Sequence, residues 1–123
     1  MGNNFLFLKV VFANIMFNLA KRKKLDYDIV ADIVGKDPRI GSSHLKINHQ
    51  SGLNKKRGRG AGGHCFIKDM AALLEMFNED IESVNSEYTL SKDLLEKIVE
   101  LNKQLLIDSK KDIDLLEGVY GKL

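Results

Sequence analysis

A nearly unbroken apolar run near the start of the chain constrains the fold more than any other feature. Residues 5–20 read FLFLKVVFANIMFNLA, and four basic residues, 21–24, follow at once. The run has 16 residues, including one lysine and two asparagines, whereas a transmembrane helix needs ~20 apolar residues. A signal peptide carries its basic residues before the apolar run, not after it. The sequence therefore predicts a buried helix over about Asn3–Lys21. Because that helix is apolar on almost every side, we expect it at the centre of a bundle or in a dimer interface.

Periodic apolar residues predict further helices downstream. Asp26 or Asp28 caps the second helix, and Gly35 suits the position just after its end. The third begins near Phe66, and Ser91 caps the fourth. No stretch of the sequence predicts a strand. The expected fold is all-α, a small helical bundle with a long central helix, and 123 residues suit a single domain.

Positive charge is concentrated in one stretch of the chain. The overall net charge is +2, but residues 36–64 hold seven basic residues against one acidic residue, together with all three histidines. This concentration indicates an anionic ligand, and a loop of this length is usually functional or disordered. The stretch lacks aromatic side chains for base stacking, which argues against nucleic acid. The spacing of its histidines and the adjacent cysteine fits no zinc motif, so no metal is expected.

The string GRGAGGHC at 58–65 ends in the only cysteine of the chain, so an intrachain disulfide is excluded. The string satisfies G-x-G-x-x-G, but it follows basic residues rather than a strand and does not predict a Rossmann fold. Its glycines let a ligand approach the backbone closely. Cys65 stands at a predicted helix start, where the partial positive charge and Lys68 favour the thiolate, and Asp69 lies one turn further on. The alternative is that Cys65 is a small buried side chain without a chemical role.

Two strings, DPRIGSSHLKI (37–47) and RGRGAGGHCFIKD (57–69), resemble the core of the nucleotide-sugar dehydrogenases, the UDP-glucose/GDP-mannose dehydrogenase family. The family pattern is roughly D-x-R-I-G, then S-H-L-K, then G-F-G-G-x-C-F-P-K-D. NNFLFLKVVFANIM resembles the family's central helix, while Ala61, Ile67 and Ile15 depart from the pattern. The resemblance implies the central dimerisation domain, of the type found at the C-terminus of 6-phosphogluconate dehydrogenase. It implies a cytoplasmic homodimer without the NAD-binding and C-terminal nucleotide-sugar domains.

The resemblance also implies a reaction and a set of site residues. The family oxidises the C6 alcohol of a UDP- or GDP-sugar to a carboxylate with two NAD, through a cysteine thiohemiacetal and thioester. The residues implied as catalytic are Cys65 as nucleophile, Asp69 for the water step, Asn3 for the oxyanion, and Lys68. The residues implied as substrate-binding are Arg39, which reaches across the dimer, with Leu45, Lys46, Gly58, Gly60, Gly62 and Gly63. The position of the family's catalytic lysine falls before Met1, so the chain alone is not expected to turn over.

Two other functions remain open from the residues. One is a dimerisation or anion-binding module that has lost catalysis. The other is a small basic helical protein that binds nucleic acid, although neither nucleic acid nor a membrane is the expected partner. Thiol reactivity distinguishes the enzyme from the module, and salt-dependent DNA binding identifies the third possibility.

Overall fold

The computed structural model describes residues 1–51, 56–79 and 85–123, and in these residues the fold is helical, as predicted. Five α-helices and one two-stranded sheet occur there. Their bounds are α1 (Gly2–Arg22), α2 (Tyr27–Gly35), β1 (His49–Ser51), β2 (Lys56–Gly58), α3 (His64–Glu79), α4 (Ser86–Ser109) and α5 (Ile113–Tyr120).

Helix α1 is the central element, and it contacts α2, α3 and α4. Its buried side chains, Phe7, Val10 and Val11, pack with Met70 of α3 and Val99 of α4. The helix is long and apolar enough to cross a membrane, with a mean hydropathy of 1.3, but the core helix of a soluble protein can have the same length and composition. The prediction of a long helix through the apolar run is confirmed.

One side of α1 remains uncovered. Phe12 is 62% exposed, Leu19 is 48% exposed and Ile15 is 42% exposed, and the three lie at helical spacing on one face. Phe5 extends this apolar face toward the start of the helix. The bundle therefore covers only part of the apolar run.

Helix α2 begins where the sequence predicted a cap. The Asp26 carboxylate accepts a 3.0 Å hydrogen bond from the amide of Asp28. Tyr27 is buried, and its hydroxyl donates a 2.7 Å bond to the carbonyl of Leu45, which ties α2 to the following loop. Gly35 is the last helical residue rather than the residue after the helix, since Lys36 is the C-cap.

The expectation that the chain has no strand is wrong. Strands β1 and β2 pair antiparallel, with His49 opposite Gly58 and Ser51 opposite Lys56. Each strand has three residues and no apolar alternation, so the period-2 pattern that predicts strands is absent. Residues 52–55, between the strands, lie outside the described part of the chain.

Two helix starts differ from those predicted. Helix α3 begins at His64, two residues before Phe66. Helix α4 is capped by Asn85, whose side-chain oxygen accepts a 2.8 Å bond from the Tyr88 amide. Ser91 lies inside α4, where its hydroxyl donates to the carbonyl of Glu87 at 2.8 Å. Both Asn and Ser are good caps, and the apolar stripe of α4 begins only after Ser91.

Candidate functional site

Cys65 lies in the first turn of α3, and its side chain is exposed. The glycine before this helix, Gly63, has a φ of +87° and accepts the bond from the Ile67 amide at 3.3 Å. The turn therefore places the thiol beside the free amides at a helix N-terminus, where negative charge is favoured. The alternative of a buried, enclosed Cys65 is wrong.

A carboxylate and an amide lie next to this thiol. Asp69 is one helical turn beyond Cys65, so the two side chains lie on the same face of α3. The Asn3 amide of α1 donates a 2.9 Å hydrogen bond to the Asp69 carboxylate. Lys68, in the same turn, is exposed. The structure thus brings together Asn3, Cys65, Lys68 and Asp69, the four residues predicted to be catalytic.

The glycine loop, residues 58–63, packs against the end of α4 and the segment that joins it to α5. A Cβ at Gly58 would meet Ser109, and a Cβ at Gly62 would meet the Asp112 carboxylate and the Ser51 hydroxyl. Both glycines are buried. Close contact with neighbouring protein groups is therefore sufficient reason for glycine at these positions.

Gly60 also requires glycine for its backbone angle. Its φ is +104°, and a Cβ there would press on Asn102, Leu105 and Leu106 of α4. A residue with a side chain would be strained in this conformation.

Side chains from α4 and the α4–α5 junction bond three amides of the glycine loop. Ser109 Oγ accepts from the Arg59 amide at 2.9 Å. Asn102 pairs with Ala61 twice, accepting from its amide at 2.7 Å and donating to its carbonyl at 3.0 Å. Asp112 accepts from the Gly63 amide at 2.8 Å. These three amides are therefore committed to the protein itself.

Arg59, part of the basic stretch, is directed into the fold. Its guanidinium donates to Asn14 Oδ1 at 2.9 Å and to Asn18 Oδ1 at 2.8 Å, and it lies 4.7 Å from the centre of the Phe17 ring. Burial lowers the pKa of Arg59, and the carboxylate of Asp108 raises it in part. The two asparagines inside the apolar run thus serve to hold this arginine.

A turn inside the basic stretch, residues 36–64, is held by a side chain of α1. Lys9 donates to the Ile40 carbonyl at 2.7 Å and to the Gly41 carbonyl at 3.4 Å. Arg39, by contrast, is exposed and pairs with Asp37 at 2.7 Å. This contact holds the pKa of Asp37 below its usual value. Arg39 therefore lies on the surface, apart from the residues around Cys65.

Leu45 and Lys46 line a different feature, an open groove of about 860 Å³ that also contacts Gly58. Its lining carries charges of both signs, Asp28 and Asp32 of α2 together with the basic residues Lys46, Arg57 and Arg59. The groove does not include Cys65. The ring of His44, beside Leu45, lies 5.8 Å from the ring of Phe66, beside Cys65. This contact connects the groove to the start of α3.

The residues that sequence reasoning missed lie at the back of the glycine loop. They are Asn102, Ser109, Lys111 and Asp112. Asn102 left a signal, since it is a polar residue within the apolar stripe of α4. The tandem Lys111–Asp112 left none, because adjacent charged residues between two helices usually face solvent.

The described residues contain no βαβ unit. Their two strands form an antiparallel hairpin, whereas an NAD pyrophosphate is held at a βαβ turn between parallel strands. They also hold no group of three His, Cys, Asp or Glu side chains placed to bind a metal.

The chain is similar in sequence to a known protein family and to several of its members. The model of the UDP-glucose/GDP-mannose dehydrogenase family, central domain, matches residues 1–104. UDP-glucose 6-dehydrogenase YwqF of Bacillus subtilis is 33% identical over 98% of this chain and 24% of its own length. UDP-glucose 6-dehydrogenase TuaD of the same organism is 35% identical over 98% of this chain and 23% of its own. UDP-glucose 6-dehydrogenase of Rickettsia bellii is 32% identical over 98% of this chain and 24% of its own length.

The described residues form a helical domain that presents an exposed cysteine one helical turn from a carboxylate. The chain spans about a quarter of the length of the curated relatives it matches. It belongs to the UDP-glucose/GDP-mannose dehydrogenase family, and it matches that family's central domain.

Proposed function

We propose that this chain is the dimerisation and catalytic-cysteine portion of a UDP-glucose 6-dehydrogenase, an NAD-dependent cytoplasmic oxidoreductase. The observation that carries the proposal is the joining of Asn3 to Asp69 at 2.9 Å, one helical turn from the exposed Cys65. The relatives named as UDP-glucose 6-dehydrogenases favour a UDP-sugar over a GDP-sugar.

The reaction of such an enzyme converts a C6 alcohol to an aldehyde and then to a carboxylate, and NAD accepts the hydride at each oxidation. Because the described residues contain no βαβ turn of the kind that holds an NAD pyrophosphate, we propose that the cofactor is held by another part of the enzyme. The isolated chain is therefore not expected to turn over. Its own contribution is the nucleophile and the groups that surround it.

Cys65 is the proposed nucleophile. Its thiolate adds to the aldehyde carbon, forming a C–S bond while the carbonyl oxygen becomes the oxyanion of a thiohemiacetal. The exposure of the thiol supports this role, because the sugar has to reach the sulfur. The helix N-terminus supports it too, since free amides there stabilise negative charge on the sulfur and on the nearby oxygen.

Asp69 and Asn3 act on the later steps. Hydrolysis of the acyl-cysteine needs a base that accepts a proton from water as the water attacks the carbonyl carbon, and the thiolate then leaves. The position of the Asp69 carboxylate on the same face of α3 as Cys65 supports this role. Asn3 orients that carboxylate through their hydrogen bond and has a second amide proton for an oxyanion. Lys68 adds positive charge beside both.

The nucleotide and the sugar of the substrate are proposed to lie along the groove lined by Leu45 and Lys46 and beside the glycine loop, residues 58–63. Lys46 carries the charge that suits a diphosphate, and Leu45 contributes an apolar contact. Arg39, exposed and free of the core, reaches toward the partner subunit's substrate. Gly63 leads directly into α3, beside Cys65. The buried Gly58, Gly60 and Gly62 form the wall behind them.

The proposed homodimer forms through the uncovered face of α1. Phe12, Ile15 and Leu19 are each more than a third exposed on this face. Burying a large apolar side chain is worth about 1.5–3 kcal/mol. A second copy of the chain would cover this face, and each Arg39 is proposed to contact the substrate of the other subunit.

The test of the proposed function is the reactivity of Cys65 in the 123-residue chain. Iodoacetamide alkylation should run faster than that of glutathione at pH 7, and Asp69→Asn and Lys68→Ala should each change the rate. The exposed Lys97→Ala is the matched control. If Cys65 is alkylated more slowly than glutathione and neither substitution changes the rate, the proposed nucleophile is refuted. The chain would then be a dimerisation module.

A further inference from the structure

Two buried charged residues lie in the segment that joins α4 to α5, and the proposed chemistry does not use them. Lys111 has no exposed surface, and Asp112 is 4% exposed. Burying a charge is unfavourable unless it is paired and hydrogen-bonded. The contacts of these two residues are therefore their reason for being there.

Both side chains bond the backbone of the glycine loop. The Lys111 ammonium donates to the carbonyl of Gly60 at 3.1 Å and to that of Gly58 at 3.4 Å. The Asp112 carboxylate accepts from the amide of Gly63 at 2.8 Å and from the hydroxyl of Ser51 at 2.8 Å. A cation thus holds two carbonyls of the loop and an anion holds one of its amides.

The backbone of the junction directs both side chains to the same loop. Lys110 and Asp112, on either side of Lys111, each have a φ of +53°. Residues other than glycine adopt this left-handed conformation at a cost, and it persists where surrounding contacts require it. The bonds of Lys111 and Asp112 to the loop are such contacts.

The loop leads directly to the thiol. The Gly63 amide donates to the Asp112 carboxylate, and the Gly63 carbonyl accepts a hydrogen bond from the Ile67 amide at the start of α3. Cys65 follows two residues later. A displacement of Gly63 would therefore change where α3 begins and where the sulfur lies.

We propose that Lys111 and Asp112 are positioning residues for Cys65, which fix the glycine loop from behind and so set the thiol at the start of α3. The proposal rests on the proposed function, because positioning serves catalysis only if Cys65 is the nucleophile. Both residues lie beyond the segment that matches the family's central domain, residues 1–104.

The first measurement is amide hydrogen exchange, followed residue by residue in the 123-residue chain. Asp112→Asn retains the shape of the side chain and removes its charge. We expect exchange at Gly63 to become about tenfold faster, since a charge-assisted bond is lost, while α1 amides change little. Lys111→Met should act likewise at Ala61, and the exposed Lys110→Met is the matched control.

The second measurement is the pH profile of Cys65 alkylation, taken where each variant is fully folded. A merely structural Lys111 would leave this profile unchanged. If Lys111 also positions the thiol, Lys111→Met changes the profile, because the sulfur then lies differently relative to the free amides at the start of α3. The other charged groups near Lys111 are Asp112 and His49, and both are retained in this variant.

The outcomes separate the two proposals. Unchanged exchange at Gly63 in a stable Asp112→Asn, together with an unchanged alkylation profile in Lys111→Met, would overturn the positioning role. A slow wild-type thiol with the expected exchange changes would instead refute the nucleophile and keep the loop contacts. If Asp112→Asn does not fold, Ser51→Ala decides the matter: it removes one partner of Asp112 without burying a new charge, and Gly63 exchange must then rise.

Discussion

The amide of Asn3 lies 2.9 Å from the carboxylate of Asp69 and donates a hydrogen bond to it across the α1–α3 interface. These residues are 66 positions apart in the chain. Their contact means that the first turn of the central helix takes part in the site around Cys65. The domain core and the proposed active site are therefore one structure.

Asp69→Asn is expected to slow deacylation of Cys65. A cysteine acylated by p-nitrophenyl acetate provides a thioester without any cofactor, so hydrolysis can be followed in this chain alone. Since general-base catalysis typically contributes about 10²–10⁴-fold, the variant should deacylate about a hundredfold more slowly. Asp114→Asn, an exposed position on α5, is the control. Equal deacylation rates in wild type and Asp69→Asn would contradict the role of Asp69.

Arg59→Met is expected to destabilise the fold. The substitution removes the bonds to Asn14 and Asn18 and the contact with the Phe17 ring. Bonds to a charged group are worth about 1.5–3 kcal/mol each, and the buried Asn14 oxygen would lose its partner. We expect the free energy of unfolding in urea to fall by about 2–4 kcal/mol. Arg57→Met, at an exposed residue with one bond to a carbonyl, should change it far less. Similar losses in both variants would show that Arg59 is not special.

Ile15→Glu is expected to dissociate the proposed homodimer. The substitution places a charge in the middle of the uncovered face of α1, between Phe12 and Leu19. Sedimentation should give twice the 13.9 kDa chain mass for the wild type and the chain mass for the variant. Leu94→Glu, at a position 62% exposed on α4, is the control and should remain dimeric. A wild type that sediments as a monomer at micromolar concentration refutes the dimer.

Local patterns in the sequence were enough to predict part of this structure. The apolar run predicted α1, and Asp26 was one of two predicted caps for α2 because its side chain can reach a nearby amide. The spacing of Cys65 and Asp69 placed them on one helix face by geometry alone. Only the family resemblance assigned Asn3 and Asp69 to the same site, because no local sequence rule connects residues so far apart.

Other features had no local signal. The strands β1 and β2 have three residues each and are too short to show alternating apolar and polar residues. Tertiary contacts therefore determine whether they form. The sequence of the glycine loop predicts open backbone for a ligand, whereas Gly58 and Gly62 are buried against the α4–α5 junction. Glycine permits close approach by any neighbour, and only the structure distinguishes a ligand from a helix end.

Lys111 is expected to make the stability of the chain rise with pH in a defined window. Burial lowers its pKa from 10.5 to about 8, against the opposing effect of Asp112. Between these values the unfolded chain binds the proton and the folded chain does not, so raising the pH favours folding. The rise in stability begins around pH 8 and levels off above 10.5, with a slope of up to about 1.4 kcal/mol per pH unit. The raised pKa values of Tyr27 and Tyr120 act in the opposite direction near and above their ordinary value of 10.0.

Urea unfolding at pH 7.5–9.5 therefore isolates the contribution of Lys111. The wild type minus Lys111→Met difference should grow across that window, and the wild type minus Lys110→Met difference should stay constant. A Lys111→Met difference that also stays constant would show that Lys111 keeps its ordinary pKa.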